Sequence, residues 1–383
     1  MVDNSKLFEK YVLNNGVEVQ NRTAVAPLTI FTSDEDGSVN DYERRYFKLR
    51  SENVGLYVLG ACAINQEAIT FPRQPLIISE KDLPANEERA KIVKANGALA
   101  INQIHHGGKE AVKNLSHTNR VVPSADIANQ IKKDDGTFSE DDVAVELSNE
   151  DIERTIQDFA HATELSIKAG YDGVEIHGAN NYLIQQFYSA YTNRRTDQWG
   201  GSLENRMRFP LRVVDACVQV REKLNRPDFV IGYRLSPEEP FENGLTMTET
   251  LALVKELVKR PLQYIHISLQ DYFREARRGE GAGTIRLKLI HEITQGKVAL
   301  VGVGGLKTAE DFNKAINSGL SEFVAAGRAY IVNKSFSTLL KENRTDEIKV
   351  EIDSDHPEDY ELAPMLWNIA LTSHGWIPVK EKN

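Results

Sequence analysis

The stretch VEIHGANNYLIQQFYSAYTNRRTDQWGG begins as an apolar strand and then presents His177, Asn180, Asn181 and Tyr182 within six residues. A simple turn would need only Gly and Asp. His177 and Asn180 are three apart, so a helical turn after the strand points both the same way. Two donors aimed at one point hold a carbonyl oxygen and stabilise negative charge developing on it. Tyr182 adds a hydroxyl able to deliver a proton nearby. The same side chains could instead form a satisfied polar network that caps the strand. A metal site from His105, His106, His177 and Asn180 is also conceivable, although no carboxylate at the strand ends clearly joins them.

Two further features could hold a charged group. Arg234 ends the apolar run FVIGYR, where an unpaired charge is costly. Either it pairs with Glu238 or Glu239, or it is a fixed positive charge facing something that becomes anionic. GVGGL (302–306) precedes a helix, and Gly327-Arg328 follows the next apolar run. Together they would offer backbone N–H groups and one guanidinium to a phosphate; alternatively, the glycines only allow tight turns. The run is not a dinucleotide fingerprint, because Lys307 stands where the third glycine would be.

These residues must be positioned by a scaffold, and the scaffold is legible. Eight apolar runs alternate with longer amphipathic segments: 23–27, 55–59, 98–104, 173–176, 229–234, 263–267, 298–302 and 322–326. Continuous apolar runs of this length suit strands buried on both faces, as in a parallel sheet. In 148–170, Ile152, Ile156, Phe159, Thr163 and Ile167 share one helical face, with a Ser148/Asp151 capping box in front and Gly170 behind. Thr308, Asp311 and Gly319 repeat that scheme. Eight strand–helix units predict an α/β protein with a single (β/α)8 TIM barrel over 1–340. Asn15-Gly16 within 11–20 reads as a hairpin that could plug the barrel floor. Residues 107–147, after the third strand, are too long for a plain connection and are expected to form a lid. The tail, 341–383, is expected to dock on this barrel or on a neighbouring subunit. Its apolar part, PMLWNIALTSHGWIPV, suggests a dimer or higher homo-oligomer.

Composition narrows the function. A chain of 383 residues with 41% hydrophobic content can bury a large core. A net charge of −10 argues against nucleic acid and anionic membrane as partners. No run approaches the ~18 apolar residues of a spanning helix, and the N-terminus lacks a leader-like apolar stretch. Cys62 and Cys217 stand far apart in apolar stretches, as buried free thiols of a reducing compartment do. The expectation is a cytoplasmic enzyme.

The strand-four run then becomes recognisable. EIHGANNYLIQQFYSAYTNRRTDQWGGSLENRMRFPLRVV resembles the Old Yellow Enzyme family of FMN-dependent ene-reductases, which carry a His-x-x-(Asn/His)-x-Tyr motif and a longer run behind it. Here these read His177, Asn180, Tyr182, Phe187, Ser189, Asn193, Arg195, Asp197, Gly200, Gly201, Asn205 and Arg206. The resemblance continues in NRTAVAPLT, INQIHHGGK, GYRLSPEE, GVGGL and AAGRAY, over roughly residues 7–340.

That resemblance implies one FMN across the strand ends and NADH or NADPH as reductant. Pro27, Leu28 and Thr29 would pack along the flavin, Ala61 would line its ring, and Gln103 would meet its pyrimidine edge. Arg234 would stand by N1 and the C2 carbonyl, and Gly304, Gly305, Gly327 and Arg328 would hold the phosphate. His177 and Asn180 would bind the oxygen of an α,β-unsaturated carbonyl substrate (an enone, enal or quinone-like compound) and Tyr182 would protonate its α-carbon. Asn181 is read as a turn residue. Thr29 occupies a position that is cysteine in one subgroup, and no closely spaced cysteines follow the barrel for an iron–sulfur cluster. Three alternatives are a flavin-binding redox sensor acting through a partner, a quinone or nitro-compound reductase, and a flavin-free barrel. The physiological substrate and the choice of nicotinamide cofactor are not readable from these residues.

Overall fold

The computed structural model describes residues 3–125, 143–373 and 375–380. The eight apolar runs become eight parallel strands of a closed barrel: β1 (Thr23–Val25), β2 (Leu56–Ala63), β3 (Leu99–His105), β4 (Gly173–Gly178), β5 (Val230–Leu235), β6 (Tyr264–Ile267), β7 (Ala299–Val303) and β8 (Phe323–Ala326). Neighbours pair in chain order, and β8 closes on β1 with Ala325 opposite Ala24. A parallel sheet needs its outer face covered, and helices such as Asn149–Lys168 and Leu203–Lys223 pack around it. The capping boxes form as expected. Ser148 Oγ accepts from the Asp151 N–H at 3.1 Å while the Asp151 carboxylate accepts from the Ser148 N–H at 3.3 Å. Thr308 and Asp311 repeat the arrangement.

Inside the barrel, strand alternation sorts the chain into two levels. At the floor, Leu56, Ile101, Val230, Val301 and Phe323 form one apolar cluster. The predicted hairpin, Tyr11–Val12 against Glu18–Val19, plugs it from below. Leu13 and Val19 join the cluster, and the Tyr11 ring meets Phe323 edge-on at 5.1 Å. Gly16 makes the turn at φ +86°, a conformation that costs glycine little. Higher up, the inward positions turn polar. Gln103 pairs with Glu175, His177 with Arg234, and Arg234 with His266 across adjacent strands.

Beyond β3, Arg120–Val122 and Ala144–Glu146 make a two-stranded parallel sheet. The acidic run 132–142, the centre of the expected lid, lies outside the described residues. In the tail, Ile352, Tyr360, Leu366, Ala370 and Ile377 are buried in the main core. The buried Arg50 Nη2 donates to the Tyr360 carbonyl at 2.6 Å. Cys62 and Cys217 are free and buried, and burial pushes both thiols up to about 12. Among the described residues no helix is long and apolar enough to cross a membrane.

Candidate active site

The polar level of the barrel is organised around one carboxylate. Glu175 is fully buried and accepts from Gln103 Nε2 at 2.7 Å, His266 Nδ1 at 2.9 Å and the Tyr264 hydroxyl at 3.0 Å. Burial alone would raise its pKa, but His266, Arg234 and the Gln103 bond outweigh that and hold it below the ordinary carboxylate range. Glu175 is therefore the counter-charge of Arg234, on the neighbouring strand. Neither Glu238 nor Glu239 pairs with Arg234. Glu238 binds Arg286, and Glu239 accepts from Gln185 and Ser189. Burial lowers the Arg234 pKa from its usual value, and Glu175 opposes that.

Arg234 also reaches outward. Its Nη2 donates to Ser268 Oγ at 3.1 Å, and Ser268 Oγ donates to Asn180 Oδ1 at 2.8 Å. With Oδ1 so engaged, the Asn180 amide nitrogen is directed away from Ser268 and makes no hydrogen bond among the described residues. Arg234 Nε and His177 Nδ1 are buried atoms that also lack a hydrogen-bond partner. Buried polar atoms are rarely left that way without a ligand or water to meet them.

His177, at 3% exposure, stands in a cluster of rings. Its centroid is 5.0 Å from that of Tyr182 and 5.3 Å from that of His105, while Tyr182 meets His105 edge-on at 4.3 Å. Burial, with His105 and Arg234 adding to it, holds His177 well below its usual pKa. It is a neutral imidazole at physiological pH, able to donate one N–H. Burial raises the Tyr182 pKa, and Glu110 adds to that, so its hydroxyl keeps its proton.

One expectation needs correction. The chain does not turn as a right-handed helix after β4. Asn180 and Asn181 both adopt left-handed backbone, at φ +57° and +63°, and the helix starts only at Leu183. Asparagine tolerates that conformation better than most residues. Asn180 is thus aimed not by helical spacing but by its two serines: its N–H donates to Ser236 Oγ at 2.9 Å and its carboxamide meets Ser268.

The two glycine loops and the first strand end share a cavity of about 550 Å³, lined by Pro27, Leu28, Arg234, Gly304, Gly305, Gly327 and Arg328. A Cβ on Gly304, at φ +140°, would lie 2.8 Å from the Asp271 backbone. Leu28 is gripped from both sides: a Cβ on Gly60 would lie 2.1 Å from its carbonyl oxygen, and one on Gly327 would lie 2.9 Å from its side chain. Arg328 Nη1 donates to the Trp376 carbonyl at 3.0 Å, so the tail forms part of the wall. Thr29 lines a neighbouring pocket, which shares Leu28. Ala61 lies in an irregular stretch of β2 and accepts from Gln74 at 3.1 Å.

Sequence reading missed Glu175, Ser236, Tyr264 and Trp376. The signal for Glu175 was available, since a lone carboxylate inside the run GVEI has to be paired. Nothing local marks Ser236 or Trp376. Most of the residues that carry the family resemblance turn out to build a loop: Asn193 Nδ2 donates to the carbonyls of Phe187 and Trp199, and Arg195 pairs with Asp197 at 2.6 Å.

Comparison with known proteins supplies the family. Residues 6–347 match the model of the NADH:flavin oxidoreductase / NADH oxidase family. The chain is 40% identical over 375 residues to the probable NADH-dependent flavin oxidoreductase YqiG of Bacillus subtilis (strain 168), covering 98% of each chain. It is 32% identical to the NADH:fumarate oxidoreductase of Klebsiella pneumoniae (strain 342), where 97% of this chain spans only 39% of that protein. The Old Yellow Enzyme homologue of Zymomonas mobilis superposes with a TM-score of 0.77 at 25% identity, covering 93% of this chain and 98% of that one. A barrel of this topology, matched along nearly its whole length, belongs to the NADH:flavin oxidoreductase / NADH oxidase family, the FMN- and NADH-using enzymes that include the Old Yellow Enzyme homologues.

Proposed function

We propose that this enzyme reduces the activated C=C bond of α,β-unsaturated carbonyl compounds at the mouth of its barrel. The observation that carries this reading is the chain of bonds Arg234–Ser268–Asn180, which leaves the Asn180 amide nitrogen without a partner among the described residues, three positions on from a neutral His177. The residues present fit FMN. Arg234 Nε and His177 Nδ1 are orphaned at the mouth, and a glycine-lined cradle with Arg328 at its rim suits a phosphate. Pro27, Leu28, Thr29, Ala61 and Gln103 would flank the ring system, Arg234 would face its electron-rich edge, and Gly304, Gly305, Gly327 and Arg328 would take the phosphate. The chemistry such a bound FMN would supply is hydride transfer, from NADH to the acceptor.

The chain's own residues do the rest. His177 and Asn180 bind the acceptor's carbonyl oxygen and stabilise the negative charge that grows there as the β-carbon is reduced. Arg234 holds Ser268, and Ser268 fixes the Asn180 carboxamide in its donating orientation. Tyr182, still protonated at neutral pH, delivers its proton to the α-carbon. The ring cluster of His105, His177 and Tyr182 keeps water away from that transfer.

The test begins with the visible spectrum of the purified protein before and after p-hydroxybenzaldehyde. A flavin spectrum that gains a long-wavelength band supports the oxygen site, and a flavin spectrum that does not respond overturns it. Rapid mixing of the Tyr182→Phe variant then separates the two steps. The enone step should slow by about 10²- to 10⁴-fold while reduction by NADH is little changed. Equal slowing of both removes Tyr182 as the proton donor.

A further inference from the structure

One cavity extends beyond the groups this mechanism uses. It opens from the barrel mouth between the loops that follow β5 and β6. Its wall includes Asn180, Ser236 and Ser268, the oxygen-site asparagine and the two serines that orient it. The same wall carries Arg274, Arg277 and Arg286, with Glu238 its one acidic residue.

The charges in that wall do not cancel. Glu238 is already committed: its carboxylate meets Arg286 Nη2 at 2.5 Å and accepts from the backbone N–H groups of Arg277 and Arg278. Arg286 is 7% exposed, and its Nε has no hydrogen-bond partner among the described residues. The guanidinium groups of Arg274 and Arg277 are exposed and make no hydrogen bond or ion pair with any described residue. Three cations against one anion leave a local excess of two positive charges, on a chain whose net charge is −10. Burial lowers the Arg286 pKa, Glu238 opposes that, and both Arg277 and Arg274 push it down further. Like charges held together at this cost mark a site that an anion relieves.

We propose that this cavity is an anion subsite, in which Arg274, Arg277 and Arg286 hold a carboxylate or phosphate on the molecule whose reacting end lies at Asn180. The inference rests on the oxygen-site reading above for that reacting end. Two sources supply the chemistry: the pyrophosphate of NADH, and a carboxylate on the acceptor. In the first case the arginines select the reductant; in the second they make the enzyme prefer acidic enoates over neutral enones.

The experiment uses the FMN-loaded protein and the double variant Arg274→Gln/Arg277→Gln, whose two sites are exposed and leave the core intact. Each half-reaction is followed with a charged and a neutral partner. NADH is set against N-benzyl-1,4-dihydronicotinamide, which has the ring but no phosphate. The anion of 4-oxopent-2-enoic acid is set against its methyl ester. The apparent Kd of at least one charged member should rise about tenfold, with both neutral members nearly unchanged. A rise with NADH alone assigns the site to the pyrophosphate, a rise with the enoate alone to the acceptor, and a rise with both to a shared site. Added salt should weaken the same charged partner in the parent protein. If the charged-to-neutral ratio is the same in variant and parent for both pairs, the proposal is overturned. Failure of the neutral ester to react with the parent protein would instead overturn the oxygen-site reading. Arg277→Glu is the second variant, and it should weaken the same charged partner further.

Discussion

The floor and the mouth of the barrel are built from the same eight strands, a few residues apart, and they are opposite in kind. At the floor the inward side chains form one apolar cluster, and a hairpin packs into it from below. At the mouth the inward side chains are Gln103, Glu175, His177, Arg234 and His266, and three of their nitrogens, Arg234 Nε, His177 Nδ1 and His266 Nε2, are buried without partners. The floor gains stability from close packing. The mouth gives some of it up, keeping polar groups that only a bound molecule can satisfy.

The sharpest way to break this contrast is to make the mouth resemble the floor. Glu175→Leu strands Arg234 without a counter-charge and takes away the acceptor of three hydrogen bonds. It should cost about 3–5 kcal/mol in chemical denaturation and should also weaken FMN retention. A loss well below that would mean Arg234 does not depend on Glu175. The matching change at the floor is Leu13→Ala, expected to cost about 3 kcal/mol while leaving turnover per folded molecule unchanged. If turnover fell as well, the plug would be coupled to the site.

Acid sharpens the comparison further, because the mouth contains histidines that burial keeps neutral. The pKa values of His105 and His106 are lowered to about 3, each mainly by burial, whereas the unfolded chain takes up these protons near pH 6.5. The unfolded state therefore binds more protons between those values, and stability falls as pH falls through that window. Each histidine contributes a slope of up to about 1.4 kcal/mol per pH unit. His106→Gln should flatten the measured slope between pH 6 and 4 by about that amount, and an unchanged slope would show that His106 is not neutral in the folded protein. The smallest effect is expected at the boundary. The Tyr264 ring packs in the floor cluster while its hydroxyl donates to Glu175, so Tyr264→Phe should cost only about 1 kcal/mol.

What could be read from the sequence divides along the same line. The strands were legible because burial on both faces leaves short apolar runs, and the helices because Ser148/Asp151 and Thr308/Asp311 announce their starts. The floor hairpin followed from Asn15-Gly16. At the mouth, His177, Asn180, Tyr182 and Arg234 stood out as polar residues at strand ends, as did Gln103, His266 and Ser268, but the bonds that join them did not. Glu175 was hidden inside an otherwise apolar run. Ser236 and Ser268 aim Asn180 from two other strands, and such pairing depends on barrel register, which no local pattern encodes. The three-residue spacing of His177 and Asn180 does not announce the left-handed backbone that Asn180 and Asn181 adopt. Trp376 reaches the cavity from the tail, about fifty residues beyond Arg328, the residue it meets.

The grip on Leu28 sets a limit on redesign. Its carbonyl lies against Gly60 and its side chain against Gly327, each so close that a single added methyl would collide. Leu28 is thus held between β2 and the residue that follows β8, the two strands that flank β1. The cavity proposed for FMN therefore tolerates no side chain at Gly60 or Gly327 unless Leu28 moves. The room to evolve lies across the mouth, in the exposed arginine-bearing loop after β6, where side chains and not main chain form the boundary.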